Sequence, residues 1–343
     1  MKLSVAIPAF NEGKTLPLLL AELRVVLDTL DCEYEIIIID DGSDDDEFSI
    51  LAGEAAKDSR LKVLSLSRNF GQQAAVTAGL DFCSGDAVVI MDADLQDPPE
   101  LLPEMVRLFQ QGYDVVSPQR VSRAGETWFK RKMASLFYSV MRKLTGESVP
   151  AEVGDFRFLS RSAVMALRQF REQHRFVRGI IAWLGLKEAF LPFHRRSRAA
   201  GITKYSFWKM ARLSWVAITS FSALPLRLSV IGGLGASGIA LLYFLYAAYV
   251  ALIRKTVVPG WTSIIFVQCF FFGVTLLSLG IIGQYIARIY DEAKQRPLYV
   301  LAEALNIDPE SVPLQHRAVV ISCRPTTNPE TEDVKPPQLT TWD

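Results

Sequence analysis

Histidine and cysteine are scarce, three and four among 343 residues, and each shortage narrows the chemistry. Cys32, Cys83, Cys269 and Cys323 lie far apart and form no C-x-x-C pair, so a zinc site has few ligands to draw on and a disulfide framework has no support. Net charge is absent too, with 37 Lys and Arg against 37 Asp and Glu. Two nucleotide-binding signatures are missing. Gly13-Lys14-Thr15 looks like the end of a phosphate-binding loop, but that loop needs glycine five residues before Gly13, where Pro8 stands. No G-x-G-x-x-G follows the first predicted strand, which argues against a dinucleotide-binding Rossmann domain. The opening residues have too short an apolar run for a signal peptide, which predicts a cytoplasmic N-terminal part.

What is present is unevenly spread. Half of the chain is apolar and 22% is charged, a mixture that excludes a disordered chain and predicts a soluble part joined to an apolar one. Residues 1–120 hold 9 Lys and Arg against 22 Asp and Glu, a balance of −13; residues 121–212 hold 19 against 6, a balance of +13. An acidic half beside a basic half points to metal or polar-substrate chemistry next to an anion-binding or membrane-facing surface.

Leu228–Ile253 and Ser263–Ala287 carry no charge. At about 1.5 Å per residue each run is long enough to cross a hydrocarbon core, whereas core helices of soluble proteins are usually shorter. The connection Arg254–Thr262 is short and contains Pro259-Gly260, so an antiparallel hairpin is expected over 227–290. Lys204, Lys209, Arg212 and Arg227 precede it and Arg288, Lys294 and Arg296 follow it, which predicts that both ends face the cytoplasm. Gly232, Ala236 and Ala240 recur every four residues and would let another helix approach, within the hairpin or between subunits. Residues 205–226 have the pattern of an amphipathic helix on the membrane surface or in an ordinary core, and Trp128–Lys143 reads similarly. Residues 291–305 are expected as a juxtamembrane segment, and 306–343, with six of the seventeen prolines, as a disordered tail.

The head, residues 1–204, alternates apolar runs of strand length with helical stretches. Strands are expected at Leu3–Ile7, Glu35–Ile39, Leu61–Leu66, Ala87–Met91 and Asp114–Ser117. Helices are expected near Lys14–Leu30, Asp45–Lys57, Gln72–Cys83 and Pro99–Gln111. That rhythm predicts an α/β fold with a mainly parallel sheet, its ligands at the carboxyl ends of the strands. Polar clusters fall at four such ends: Asn11-Glu12, Asp40-Asp41-Gly42-Ser43, Ser67-Arg68-Asn69 and Asp92-Ala93-Asp94. Carboxylates two apart at a strand end suit Mg²⁺ or Mn²⁺, which leave positions for phosphate oxygens and neutralise a leaving diphosphate. Alone such a pair is more often a solvated turn; here it lies in an acidic cleft and runs on into Leu95-Gln96-Asp97-Pro98-Pro99.

On Ile7-Pro8-Ala9-Phe10-Asn11-Glu12, Asp40-Asp41-Gly42-Ser43, Ser67-Arg68-Asn69-Phe70-Gly71 and Met91-Asp92-Ala93-Asp94-Leu95-Gln96-Asp97-Pro98-Pro99, the sequence resembles glycosyltransferase family 2. Within that family it looks most like the membrane-bound polyisoprenyl-phosphate glycosyltransferases, notably bacterial undecaprenyl-phosphate glucosyltransferases, and more distantly the dolichyl-phosphate enzymes. Gly154-Asp155-Phe156-Arg157, Arg198-Ala199-Ala200-Gly201-Ile202-Thr203-Lys204-Tyr205 and Gly283-Gln284-Tyr285-Ile286-Ala287-Arg288-Ile289-Tyr290 carry the closer match, and the whole resemblance covers about residues 3–303. Ala151-Glu152-Val153 departs from the Asn-containing loop usual there.

The resemblance implies a GT-A head that inverts the anomeric centre of a nucleotide sugar, with UDP-glucose the leading donor, in transfer to undecaprenyl phosphate at the inner membrane. It places Pro8, Asn11, Glu12 and Asp41 around the nucleotide, Asp92 beside its uracil-ribose part, Asp94 on the Mg²⁺ or Mn²⁺ with Asp92 indirect, and Gln96 near the sugar. Asp155 matches the proposed catalytic aspartate. A homotetramer is implied, and no nucleic acid partner. An anionic acceptor meeting an anionic donor needs cations between them; Arg120, Arg123, Arg131, Arg198 and Lys204 are the candidates, the rest of the basic segment being a solvated face towards anionic lipid. Mannose, an amino sugar or a formamido-pentose are the alternative donors. A processive polysaccharide synthase would carry a Q-x-x-R-W motif and more spans. A non-catalytic head is disfavoured by the intact Asp92, Asp94 and Asp155.

Overall fold

Runs of Val, Ile and Leu become central strands because only a sheet covered on both faces buries an unbroken apolar run. A computed structural model describes residues 1–120, 153–193, 224–250, 253 and 260–307. In it the first four runs form β1 (Lys2–Ala9), β2 (Glu33–Asp40), β3 (Leu61–Leu66) and β4 (Ala87–Ile90), followed by β5 (Val115–Arg120). Between them lie α1 (Leu16–Leu27), α2 (Glu47–Ala55), α3 (Gln72–Phe82) and, after a 3-10 turn at Pro99–Leu101, α4 (Leu102–Gln110). Each expected element is present, the helices trimmed at their ends. Leu16, Leu19, Leu20, Leu23 and Leu27 of α1 are all buried, and at about 1.5–3 kcal/mol for each such side chain they hold it on the sheet.

Three strands and two helices in the second part of the head have weaker signals. β6 (Arg157–Ser160) is only four residues and contains a buried arginine. It is followed by α5 (Arg161–Gln169), whose N-cap Ser160 accepts a hydrogen bond from the Ala163 N–H, then by α6 (Val177–Trp183) and β7 (Glu188–Phe193). The eight-stranded sheet runs β7-β5-β6-β4-β1-β2-β3-β8. It is parallel from β4 through β1 and β2 to β3, but β6 enters antiparallel between β4 and β5.

The last strand, β8 (Leu301–Leu305), corrects the expected domain plan. Residues 301–305 are not a loose juxtamembrane segment but pair antiparallel with β3 and complete the head. Leu301, Ala304 and Leu305 are buried with Tyr299. Asn306, placed in the expected tail, is also tied down: its Nδ2 donates to the carbonyls of Ala55 and Leu61, at 2.8 Å each.

Between β7 and β8 come α7 (Leu224–Tyr249) and α8 (Trp261–Ala293). Both contain windows long and apolar enough to cross a membrane, Leu226–Tyr246 and Phe270–Ala293, of which only 6% and 0% is buried. A core helix would be buried, and an exposed apolar surface this long has no place in water. Membrane association follows. The two helices pack against each other, and on α7 the less exposed positions are Leu226, Ser229, Gly233, Ala236 and Ala240, the alternating three- and four-residue spacing of a helix seam. Of the expected small-residue face, Ala236 and Ala240 are among these less exposed positions, and Gly232 is exposed. The expected surface helices at 205–226 and Trp128–Lys143 lie outside the described residues, apart from 224–226, which open α7.

Candidate active site

The site follows from strand direction. β4 and β6 are antiparallel, with Ile90 opposite Arg157, so the residues after β4 and the residues before β6 meet at the same sheet end. That register brings Asp92 and Asp155 together. Gln72, the first residue of α3, sits between them: its Nε2 donates to Asp92 Oδ1 at 2.8 Å and lies 3.5 Å from Asp155 Oδ2.

Around this pair the loops are tied by side chains. The Asp92 N–H donates to Asp97 Oδ2, and the Gln96 N–H donates to Asp94 Oδ1 at 3.2 Å, closing the turn in which Leu95 takes a positive φ of 60°. Asp92 and Asp94 remain partly exposed, whereas Gln96, expected near the sugar, is buried. Asp41 is buried too; its carboxylate accepts from the backbone N–H groups of Phe70 and Gly71 and so fixes the loop into α3. Burial pushes the Asp41 carboxyl up, and those two amides pull against the shift. Gly42 makes the same approach possible. Its φ is +69°, and a Cβ there would stand 2.4 Å from the Arg68 carbonyl carbon.

Pro8 is buried on β1, and Asn11 and Glu12 follow that strand. Asn11, at a positive φ of 58°, accepts through Oδ1 from the Asp44 N–H, and its own N–H donates to Ser43 Oγ. The Glu12 N–H donates to Glu47 Oε2 at 2.6 Å. Glu47 is fully buried at the start of α2, and desolvation pushes its carboxyl up to about 7; the Glu12 N–H opposes this while Asp40 and Asp45 reinforce it. The folded protein therefore holds a proton there that the unfolded chain releases from about pH 4.5, so stability falls as pH rises from 4.5 to about 7. Glu47→Gln keeps a carbonyl for the Glu12 N–H. It is expected to match wild type near pH 5 and to be more stable by about 1–3 kcal/mol at pH 8, read from thermal melts across that range.

Arg120, at the end of β5, lies against Gly154, where a Cβ would meet its Nη2 at 3.3 Å. It is thus beside the Asp155 loop. Arg123, Arg131, Arg198 and Lys204 lie outside the described residues. One group was missed by the sequence reading: Arg178, in the first turn of α6, grips Asp155 side-on, Nε to Oδ1 at 2.5 Å and Nη2 to Oδ2 at 2.8 Å. Twenty-three residues from Asp155 and one arginine among many in a basic segment, it carried no signal. Gln72 did carry one, since it directly follows the Ser67–Gly71 motif at a strand end.

Among the described residues no group of three or more His, Cys, Asp or Glu is arranged to hold a metal. Asp92 and Asp94 are two partly exposed carboxylates at one sheet end, and a Mg²⁺-type cation is commonly held by one or two carboxylates and completed by substrate phosphates. The residues fit such a metal.

Residues 4–168 match the family described as Glycosyl transferase family 2. Over 305 residues the chain is 41% identical to an uncharacterized glycosyltransferase of Bacillus subtilis (strain 168), covering 89% of this chain and 94% of that one. Over 301 residues it is 38% identical to the bactoprenol glucosyl transferase of Shigella phage SfV, covering 88% and 98%. Among solved structures it is similar to glucosyl-3-phosphoglycerate synthase from Mycobacterium tuberculosis in complex with Mn²⁺, UDP and glucosyl-3-phosphoglycerate, with a TM-score of 0.42, 19% identity, and coverage of 63% and 76%.

Proposed function

The chain belongs to glycosyl transferase family 2, and from that premise we propose that it transfers glucose from UDP-glucose to undecaprenyl phosphate, with inversion and with a divalent metal, at the cytoplasmic face of the inner membrane. It is a glycosyltransferase with a GT-A-like mixed α/β head. The observation that carries the finer reading is the meeting of Asp155 with the Asp92–Asp97 loop at one sheet end, in a chain that also carries two membrane-length helices. The bactoprenol named in the phage relative supports the acceptor class.

In this reading Asp94, with Asp92 in an indirect role, would hold Mg²⁺ or Mn²⁺, and the cation would supply positive charge to the leaving diphosphate. Pro8, Asn11, Glu12 and Asp41 form or support the nucleotide side of the cleft. Arg120, beside Gly154 in the Asp155 loop, is assigned in this reading to acceptor phosphate or donor diphosphate. Asp155 need not take a proton. A phosphate monoester is largely dianionic at neutral pH, its second pKa being about 6. With both Asp155 oxygens gripped by Arg178, orientation of the sugar or acceptor is the role that suits it.

Purified protein given labelled UDP-glucose, undecaprenyl phosphate and Mg²⁺ or Mn²⁺ is expected to move label into an organic-extractable lipid, and EDTA should abolish the transfer. Label from another UDP- or GDP-sugar alone would replace glucose by that sugar. No label from any donor, with folded protein, would overturn the acceptor assignment.

A further inference from the structure

Asp155 is held by a closed ring of hydrogen bonds. From Asp155 the ring passes to Arg178, then through the backbone to Val177, whose N–H donates to Gln73 Oε1 at 3.0 Å. The next residue back, Gln72, reaches Asp92 and Asp155. The side chain of Gln73 thus takes one of the N–H groups that the start of α6 leaves unpaired, and it seats Arg178 in the process.

The approach to α6 is fixed as firmly. Arg175 is 8% exposed, and it donates through Nη1 to Thr77 Oγ1 at 3.0 Å and through Nη2 to the Leu167 carbonyl at 2.7 Å. The Gln173 N–H donates to Glu292 Oε1 at 2.8 Å, and His174 Nε2 lies 3.3 Å from Asp291 Oδ2, both partners belonging to the end of α8. Arg178 therefore rests on a helix whose first N–H is capped from α3 and whose leading segment is tied to α3 and to the end of α8.

We propose that Arg178 is a positioning residue for the transfer reaction, orienting the Asp155 carboxylate and compensating its charge when an acceptor phosphate arrives beside it. This rests on the reading of the site as a glycosyl-phosphate-forming centre. Two anions brought close repel each other, and a guanidinium bound side-on to one of them lowers that repulsion while fixing its plane. Lysine does not substitute, because an ammonium is a point charge that cannot hold both oxygens in one plane.

The test uses the full-length protein in detergent or vesicles, with kcat, the KM of donor and acceptor, UDP binding and melting temperature read together. Arg178→Gln is expected to lower kcat about 100-fold, as a misplaced reacting group does, with UDP affinity within about 3-fold of wild type. Arg178→Lys should recover little, and methylguanidinium should restore part of the activity of Arg178→Gly. In a double-mutant cycle Arg178→Gln should add almost nothing to Asp155→Asn, because the arginine acts through that carboxylate. Full additivity would overturn the proposal, as would wild-type kcat in Arg178→Gln. A parallel fall in UDP affinity and melting temperature in both Arg178→Gln and Arg178→Lys, without methylguanidinium rescue, would reduce Arg178 to a structural part. An inactive wild type would instead strike the reading of the reaction, which separates the two failures.

Discussion

Asp94→Asn is expected to lose sugar transfer by at least about 1,000-fold in kcat, some 4 kcal/mol at 1.36 kcal/mol per decade, while the protein stays folded. Asparagine keeps the oxygen that accepts from the Gln96 N–H, so the turn with its positive-φ Leu95 is preserved. What disappears is the negative charge that would hold the metal against a diphosphate, a contribution of several kcal/mol to the transition state. Asp92→Asn should cost less, because Gln72 already occupies Asp92 Oδ1. The measurement is lipid-linked label against time at saturating donor, with the melting temperature as control. Unchanged turnover in Asp94→Asn would sink the metal assignment.

The second large effect concerns stability. Asp81 is buried on α3, and both oxygens are engaged by Arg171, at 2.7 and 2.8 Å, with the Tyr299 hydroxyl donating to Oδ2 at 2.8 Å. Burial and the neighbouring Asp81 charge both push the Tyr299 hydroxyl far up, so it stays a donor at any working pH. Asp81→Ala leaves a guanidinium and a buried hydroxyl without their shared acceptor. A loss of about 2–3 kcal/mol is expected, below the usual cost of breaking a fully buried pair because Arg171 is 34% exposed and water can reach it. Tyr299→Phe removes only one neutral donor, and the carboxylate keeps its arginine; about 1–2 kcal/mol is expected there. Denaturant unfolding of the two variants in the same detergent checks the order, and equal losses would show that the hydroxyl, not the ion pair, holds the segment.

The first half of the head was legible because its strands are unbroken apolar runs separated by helices of ordinary length, and strand ends with polar clusters mark a cleft by rule. The second half was not. β6 reads Arg-Phe-Leu-Ser, and its arginine is 2% exposed, with Nε donating to the Gly154 carbonyl and Glu188 nearby. A buried charge inside a four-residue strand defeats any pattern of apolar alternation. Asp155 was therefore found through family resemblance, while its neighbourhood with Asp92 depends on a strand direction that no local pattern encodes. Arg178 depends on a helix start capped from another helix. Gln96 stands in the motif and is buried; that burial follows from how the Asp92–Asp97 turn packs, which the sequence does not show.

β8 has a consequence for how the molecule is made. Its partner β3 leaves the ribosome some 235 residues before it, and both apolar helices are synthesised in between. Until residue 305 appears, one edge of the sheet stands open, with Tyr299, Leu301 and Leu305 missing from its core. An open strand edge is a site for pairing with other chains. Completion of the head thus waits until both apolar helices have been synthesised, so closure of the sheet comes after them in time. A head severed before residue 224 would be born with that edge permanently unpaired.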